Sequence, residues 1–399
     1  MKICIICQNI QTLGGLQVVV TSIAQQLKES EETEITFLMP KLSSAPCFAL
    51  PAGFNIKNLE DFVPSQNQKY KRIIRTLNRK TGCFDFTVAI PMMERMLFAR
   101  SSVEKLAEFI NAQMYDWVVG TAFNYSLLTA LLADKVKCKT AGWMHSTFQG
   151  YYGIKGTAYY GLKCLNRKYL PRLNRCFVLN QSDKRAFDRN YRMDTVVLHN
   201  PVCSKRVQQG TNKHGELLFV GRLNKQVKGL DYLAEIIKQL KKEDVKFHLT
   251  IVGSGPDEEW LKQKFRENNL GECVTFTGFQ EDVTPYYGQA AVLLSTSRWE
   301  GFGMTIVEAM SVGVPCVSFD NDGACEIIHN ATDGILIPKY EVNKFAQAVK
   351  ELLKDDTAWK QLSIAAMEAR LQDRCTVILR RKIKNESLEK NQEITVWIV

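Results

Sequence analysis

The sequence predicts an α/β chain of two parallel-sheet domains, and three observations predict it. The chain has 399 residues, whereas single domains usually run to about 100–200. Short runs of Val, Ile and Leu alternate with amphipathic stretches, which is the pattern of βαβ units. Asn200-Pro201 breaks that alternation near the middle of the chain, and the residue before a proline is pushed towards extended backbone. The expected organisation is a first domain over 1–199, a second over 200–370, and a polar, weakly periodic tail over 371–399. Packing of that tail back on the first domain is one option.

The elements follow in order. Ile3–Cys7 reads as a buried strand, and Gly14-Gly15 as a turn. Val19, Ile23 and Leu27 then repeat at helical spacing. Ile35–Met39, Trp117–Val119, Cys176–Leu179 and Thr195–Leu198 are further strand candidates. In the second half the strands are Leu217–Val220, Phe247–Val252, Val274–Thr277, Ala291–Ser295 and Pro315–Phe319. Helices are expected at Leu230–Leu240, Glu258–Glu267, Val283–Gly288, Ile306–Ser311 and Lys344–Leu353.

Composition excludes several classes. With 45% hydrophobic and 24% charged residues, the chain is neither disordered nor fibrous. Trp117–Ala133 is the best candidate for a membrane span and lacks charge, but it contains Gly120, Asn124 and Ser126 and reads as strand, loop and helix rather than a membrane span. The apolar run after Met1-Lys2 is too short for a signal peptide, so a cytoplasmic location is expected. Twelve scattered cysteines suit a reducing compartment. Cys4-x-x-Cys7 has the spacing of a metal or redox pair, yet no second pair completes a zinc site. Burial in the first strand is the simpler reading.

Three pieces of the second half carry chemistry. In Phe219-Val220-Gly221-Arg222-Leu223, followed by Lys228-Gly229, two cations flank a loop after a strand and suit a diphosphate. Glu300-Gly301-Phe302-Gly303-Met304-Thr305-Ile306-Val307-Glu308 opens a helix, whose N-terminal N–H groups and dipole favour an anion. Thr305-x-x-Glu308 also matches a capping box, so Glu308 has a purely structural alternative. Gly278-Phe279 follows another strand.

Together these residues resemble glycosyltransferase family 4, a large group of retaining sugar-nucleotide transferases with the GT-B fold. Seven residues separate Glu300 from Glu308, which matches the E-x7-E motif of that family. Gly313-Val314-Pro315, Asp333-Gly334 and Val252-Gly253-Ser254-Gly255-Pro256 fall in the family's order. The likeness is strong over about 198–355 and weaker in the first half, where Gly14-Gly15 and His145 carry it. It implies two Rossmann-like doubly wound domains facing across a cleft. It also implies roles. Arg222 and Lys228 would hold the donor diphosphate, Glu308 the ribose hydroxyls and Glu300 the transferred sugar. Amides around Phe302, Gly303, Met304 and Thr305 would cradle sugar and phosphates. Phe279 would sit beside the base, and Gly14, Gly15 and His145 would face the same cleft.

The expected reaction moves a hexose or N-acetylhexosamine, with retention, from a nucleotide-diphosphate sugar to a hydroxyl of a saccharide or polyprenyl-diphosphate-linked acceptor. UDP is the favoured nucleotide, and cell-surface polysaccharide synthesis is the expected setting. No Asp-x-Asp was expected in a loop after a strand, so metal independence and no cofactor are anticipated. The alternatives are a non-catalytic sugar-nucleotide or glycan binder, and an epimerase or phosphorylase on the same scaffold. A dinucleotide-dependent oxidoreductase fits poorly, because Glu258 stands where the third fingerprint glycine would follow Gly253 and Gly255.

Charge separates the halves. Residues 1–199 hold 26 basic and 15 acidic residues, and 200–399 hold 26 and 27. Lys69–Lys80 has six basic and no acidic residues, with Tyr70, Ile73, Ile74 and Leu77 on one helical stripe. This pattern suits an anionic membrane surface, or else a helix packed on a sheet with a solvated basic face. Residues 151–175 add six basic residues interleaved with tyrosines. No nucleic-acid-binding motif accompanies the charge. A peripheral position on the inner face of the cell membrane is therefore expected.

Overall fold

The computed structural model describes residues 1–12, 14–30, 33–41, 53–64, 69–157, 159–201 and 215–372. The chain divides between Pro201 and Val202 into two compact units. Of the tail expected over 371–399, residues 373–399 lie outside the described residues.

The N-terminal unit is built on seven strands: β1 (Lys2–Ile6), β2 (Glu34–Met39), β3 (Asn55–Asn58), β4 (Trp117–Thr121), β5 (Lys139–Trp143), β6 (Arg175–Val178) and β7 (Val196–Val197). They pair in the order β3-β2-β1-β4-β5-β6-β7, and every pairing is parallel. β1 and β4 are buried on both faces, as expected where crossover helices cover a sheet. β3 escaped the sequence reading because Asn-Ile-Lys-Asn on an exposed edge has no apolar run. Trp117–Ala133 forms β4 and the helix Ala122–Leu132 with no loop between them. Ala122 makes the corner alone, at φ 58°, a left-handed conformation that is strained for a residue with a Cβ. Cys4 and Cys7 are buried. Burial pushes both thiols well above their ordinary range, which suits inert core residues rather than a reactive pair.

The tyrosines of 151–175 turn inward. Tyr151, Tyr152 and Tyr169 are buried among Leu165, Phe187 and Tyr191. Lys155, Arg167, Lys168, Arg172 and Arg175 remain exposed. That stretch is thus an ordinary packed segment with a solvated basic face. Among the described residues, no helix is long and apolar enough to cross a membrane.

The C-terminal unit has six strands: β8 (Glu216–Val220), β9 (His248–Val252), β10 (Val274–Gly278), β11 (Val292–Ser295), β12 (Cys316–Phe319) and β13 (Ile335–Ile337). The order is β10-β9-β8-β11-β12-β13, again parallel throughout. β13 is only three residues long, too short for a period to register. The core joins Leu217, Phe219, Ile251, Leu294 and Phe319 of the strands to Leu233, Ile237, Phe345 and Val349 of the covering helices. Strand order reverses between β8 and β11, and open α/β sheets bind ligands beyond the strand ends at such a point.

The loops leaving β8 and β9 touch through their backbones. Gly221 N–H donates to Val252 O at 3.0 Å, and Leu223 N–H to Ser254 O at 2.9 Å. Gly253 sits at φ +133°, where a Cβ would lie 2.0 Å from Gly221 O. Gly253→Ala is therefore expected to cost about 2–4 kcal/mol, from a strained dihedral and an overpacked contact. Urea unfolding followed by tryptophan fluorescence measures this, and an unchanged midpoint would show that the two loops can separate.

Candidate active site

The site grows from the loops after β8 and β11. Beyond Val220 the chain passes Gly221 and the exposed Arg222. The Asn224 side chain accepts from Val227 N–H at 3.0 Å, capping a one-turn helix, Lys225–Lys228. The sequence reading had seen only a loop here. The Lys228 side chain lies over Gly221, where an added Cβ would stand 3.2 Å from Lys228 Cε. Its ammonium donates to Glu300 Oε1, and the same oxygen accepts from Ser297 Oγ at 2.7 Å. Both ion-pair side chains are 17% exposed. A carboxylate thus holds the lysine at the end of the loop.

Helix Met304–Ser311 begins three residues after Gly301. Gly303 is its N-cap at φ 99° and offers no capping side chain. Met304 and Thr305 open the helix, so their N–H groups have no acceptor within it. The capping-box reading of Glu308 is overturned: the carboxylate does not cap its own helix but accepts from the Tyr287 hydroxyl at 2.8 Å. Burial raises the Glu308 carboxyl above its ordinary value, against the opposing pull of the Tyr287 hydroxyl and the Lys228 charge. Tyr287 is itself buried. It was missed because nothing in the sequence links it to a residue 21 positions away.

The remaining expected residues fall as follows. Phe302 is 4% exposed, so its ring belongs to the core and only its backbone is available to a ligand. Phe279 is 44% exposed, just after Gly278 at φ +69°, at the carboxyl end of β10. Lys228, Glu300 and Glu308 are thus brought together, while Arg222 and Phe279 share the same sheet edge.

Gly14, Gly15 and His145 belong to the N-terminal unit. Gly15 opens the helix Gly15–Ser30 after β1. His145 follows β5 by two residues, and its N–H donates to Tyr151 Oη at 3.0 Å. Its ring stands 4.1 Å from that of Trp143. Its Nε2 is shielded from solvent with no hydrogen-bond partner. Burial lowers the imidazole to about 3, so His145 is neutral at physiological pH.

One expectation needs correction. Asp320-Asn321-Asp322 directly follows β12, so an Asp-x-Asp does occur in a loop after a strand. Its members have structural partners: Asp320 Oδ1 accepts from Lys339 N–H at 2.8 Å, and Asn321 caps helix Asp322–Ile327. Among the described residues no group of three or more His, Cys, Asp or Glu side chains is arranged to hold a metal.

Residues 214–355 match the family described as glycosyl transferases group 1. The match lies within the C-terminal unit. An uncharacterised glycosyltransferase of Haemophilus influenzae is 24% identical over 270 residues, covering 66% of this chain and 74% of that protein. Several other curated relatives align over only 21 to 56% of their own length. Among solved structures, the lipopolysaccharide outer core galactosyltransferase WaaB superposes with a TM-score of 0.65 at 19% identity, covering 93% of this chain and 99% of WaaB. Anabaena HepE in complex with UDP-glucose gives 0.66 at 17% identity, covering 93% and 95%. These likenesses show a shared fold, and the two parallel-sheet units are those of GT-B. The chain is a transferase enzyme, similar to proteins named as glycosyltransferases, among them a lipopolysaccharide 1,6-galactosyltransferase of Salmonella typhimurium.

A carboxyl whose folded value is raised stabilises the fold fully only below the ordinary carboxylate range, about 4.3 for Glu. That contribution is lost as pH rises through the raised value. Glu308→Gln removes the ionisation and keeps an acceptor for Tyr287. The ligand-free variant is therefore expected to melt at or above the parent at pH 7–8, the gap closing towards pH 4. A variant markedly less stable at neutral pH would contradict this assignment.

Proposed function

We propose that this transferase moves a hexose or N-acetylhexosamine, with retention of configuration, from a UDP-sugar to a hydroxyl of a saccharide or lipid-linked glycan in cell-surface polysaccharide synthesis. The observation that carries the reading is the Lys228–Glu300 pair at the strand-order reversal, beside the open N-terminus of Met304–Ser311. In this reading Lys228 leaves Glu300 for the diphosphate, Arg222 joins it, and Glu300 is released to accept hydroxyl hydrogen bonds from the sugar. Glu308 takes the ribose hydroxyls through the oxygen that Tyr287 does not use. Phe279 lies along the base. The UDP preference is supported by HepE, whose structure holds UDP-glucose, and the pathway by relatives such as a Salmonella lipopolysaccharide 1,6-galactosyltransferase.

The acceptor oxygen forms a bond to the anomeric carbon on the face from which the diphosphate departs. The anomeric carbon–oxygen bond to phosphate breaks, and the hydroxyl proton passes to the leaving phosphate. Charge develops on that phosphate, where Lys228, Arg222 and the helix N-terminus would stabilise it. We propose that this electrostatic set makes a divalent cation unnecessary. Melting curves with UDP-, GDP- and ADP-sugars identify the donor, since a ligand at 100 times its Kd adds about 2.7 kcal/mol to the folded state. With that donor, Lys228→Ala is expected to lose on the order of 10²–10³ in kcat, and EDTA to leave the parent unchanged. Near-normal turnover of the variant would end the clamp assignment.

The proposed location is the inner membrane surface, and helix Lys69–Thr81 supports it. Asn78 anchors one side: its Nδ2 donates to Gly161 O at 2.7 Å, and its Oδ1 accepts from Phe84 N–H at 2.9 Å. Ile74 packs on the core. Tyr70, Ile73 and Leu77 instead face solvent, Ile73 being 66% exposed, flanked by exposed Arg72, Arg79 and Lys80. An exposed apolar ridge bordered by cations fits anionic lipid. Flotation with phosphatidylglycerol vesicles at low salt is expected to capture the parent. Ile73→Glu with Leu77→Glu should abolish capture, and retention of binding in that variant would remove this helix from the contact.

A further inference from the structure

We propose that Arg298 is a positioning residue, which fixes Lys228 against Glu300 by bracing the one-turn helix that carries the lysine. The proposal rests on the donor-site reading above.

Four residues make a poor helix, because nucleation fixes several dihedrals for a single hydrogen bond. Lys225 O accepts from the C-cap Gly229 N–H at 3.0 Å, but the carbonyls at the end of the turn have no partner within it. The loop after β11 supplies those partners from far away in sequence. Arg298 N–H donates to Val227 O at 2.9 Å. Arg298 Nη1 donates to Lys225 O at 2.8 Å, and Thr296 Oγ1 to Lys228 O at 2.9 Å. The same loop carries Ser297 and Glu300. One short segment therefore holds the lysine's backbone and presents its carboxylate partner.

The guanidinium is itself fixed. It forms a two-pronged pair with Asp231, at 3.0 and 2.7 Å, and lies 4.3 Å from the centre of the Tyr232 ring. Tyr232 stacks in turn on Tyr340, with ring centres 5.2 Å apart. Burial works against the Asp231 charge, yet the Arg298 guanidinium holds its carboxyl below the ordinary value. A lysine at 298 would keep the charge and lose the fork. Small displacements of positioned groups are costly, since a misplacement of about 1 Å can lower turnover about 10²-fold.

Arg298→Lys and Arg298→Ala are expected to lower kcat about 10–100-fold, with the donor's KM and the Kd for UDP changed less than about threefold. The donor is the sugar nucleotide that gave the largest melting shift, and turnover is expressed per UDP-binding site to discount misfolded protein. In a Lys228→Ala background, adding Arg298→Ala should cost less than about threefold more, because the brace then has nothing to position. A ligand-free readout accompanies these: acetylation of Lys228 by acetic anhydride, read by mass spectrometry, should quicken about fivefold or more in Arg298→Lys. Parental kcat in Arg298→Ala, losses that multiply in the double variant, or an unchanged acetylation rate would overturn the proposal. Full turnover in Lys228→Ala alone would instead remove the donor-site reading beneath it.

Discussion

The structure depends on a parallel sheet whose strand order reverses once. Every strand of the C-terminal unit ends at the same edge, and the crossover helices of β8 and β11 leave in opposite senses. The crevice between them cannot be filled by either helix. Lys228 and Glu300, 72 residues apart, meet there because both strands deliver their loops to that point. The helix N-terminus at Met304 is aimed at the same place for the same reason.

The turns after β8 and β9 meet through backbone, not side chain. The glycine-lined turns after β8 and β9 rest on each other's carbonyls, so the cation loop has a rigid floor. The walls are side-chain networks of long sequence range. Tyr287 holds Glu308, Ser297 holds Glu300, and Arg298 ties the loop after β11 to the turn after β8. Each holds a carboxylate, or the loop that carries one.

Much of this was legible in the sequence. The strands around Leu217, Ile251 and Leu294 announced themselves as apolar runs, because buried parallel strands must be apolar on both faces. Arg222, Lys228, Glu300 and Glu308 stood out through spacing and family likeness. The illegible parts have physical causes. β3 is polar because one edge of it meets no neighbour. The corner at Ala122 depends on a conformation that alanine does not advertise. The role of Glu308 was ambiguous because a capping box and a buried ligand-facing carboxylate share one spacing, and only the Tyr287 hydroxyl separates them. Arg298 lay inside the recognised string, but its partners Asp231 and Val227 lie about 70 positions upstream. The tyrosines of 151–175 looked like part of a basic surface, because composition does not reveal which way a ring points.

The mutual satisfaction of Lys228 and Glu300 has a consequence for how this enzyme can change over generations. Each residue is the other's counter-charge, so a chain that loses one of them keeps a poorly solvated orphan. Breaking such a pair is worse than replacing both members. Drift at either position therefore meets resistance from folding before it meets resistance from catalysis. Descendants should tend to lose both residues in close succession, and the two positions should retain a shared history.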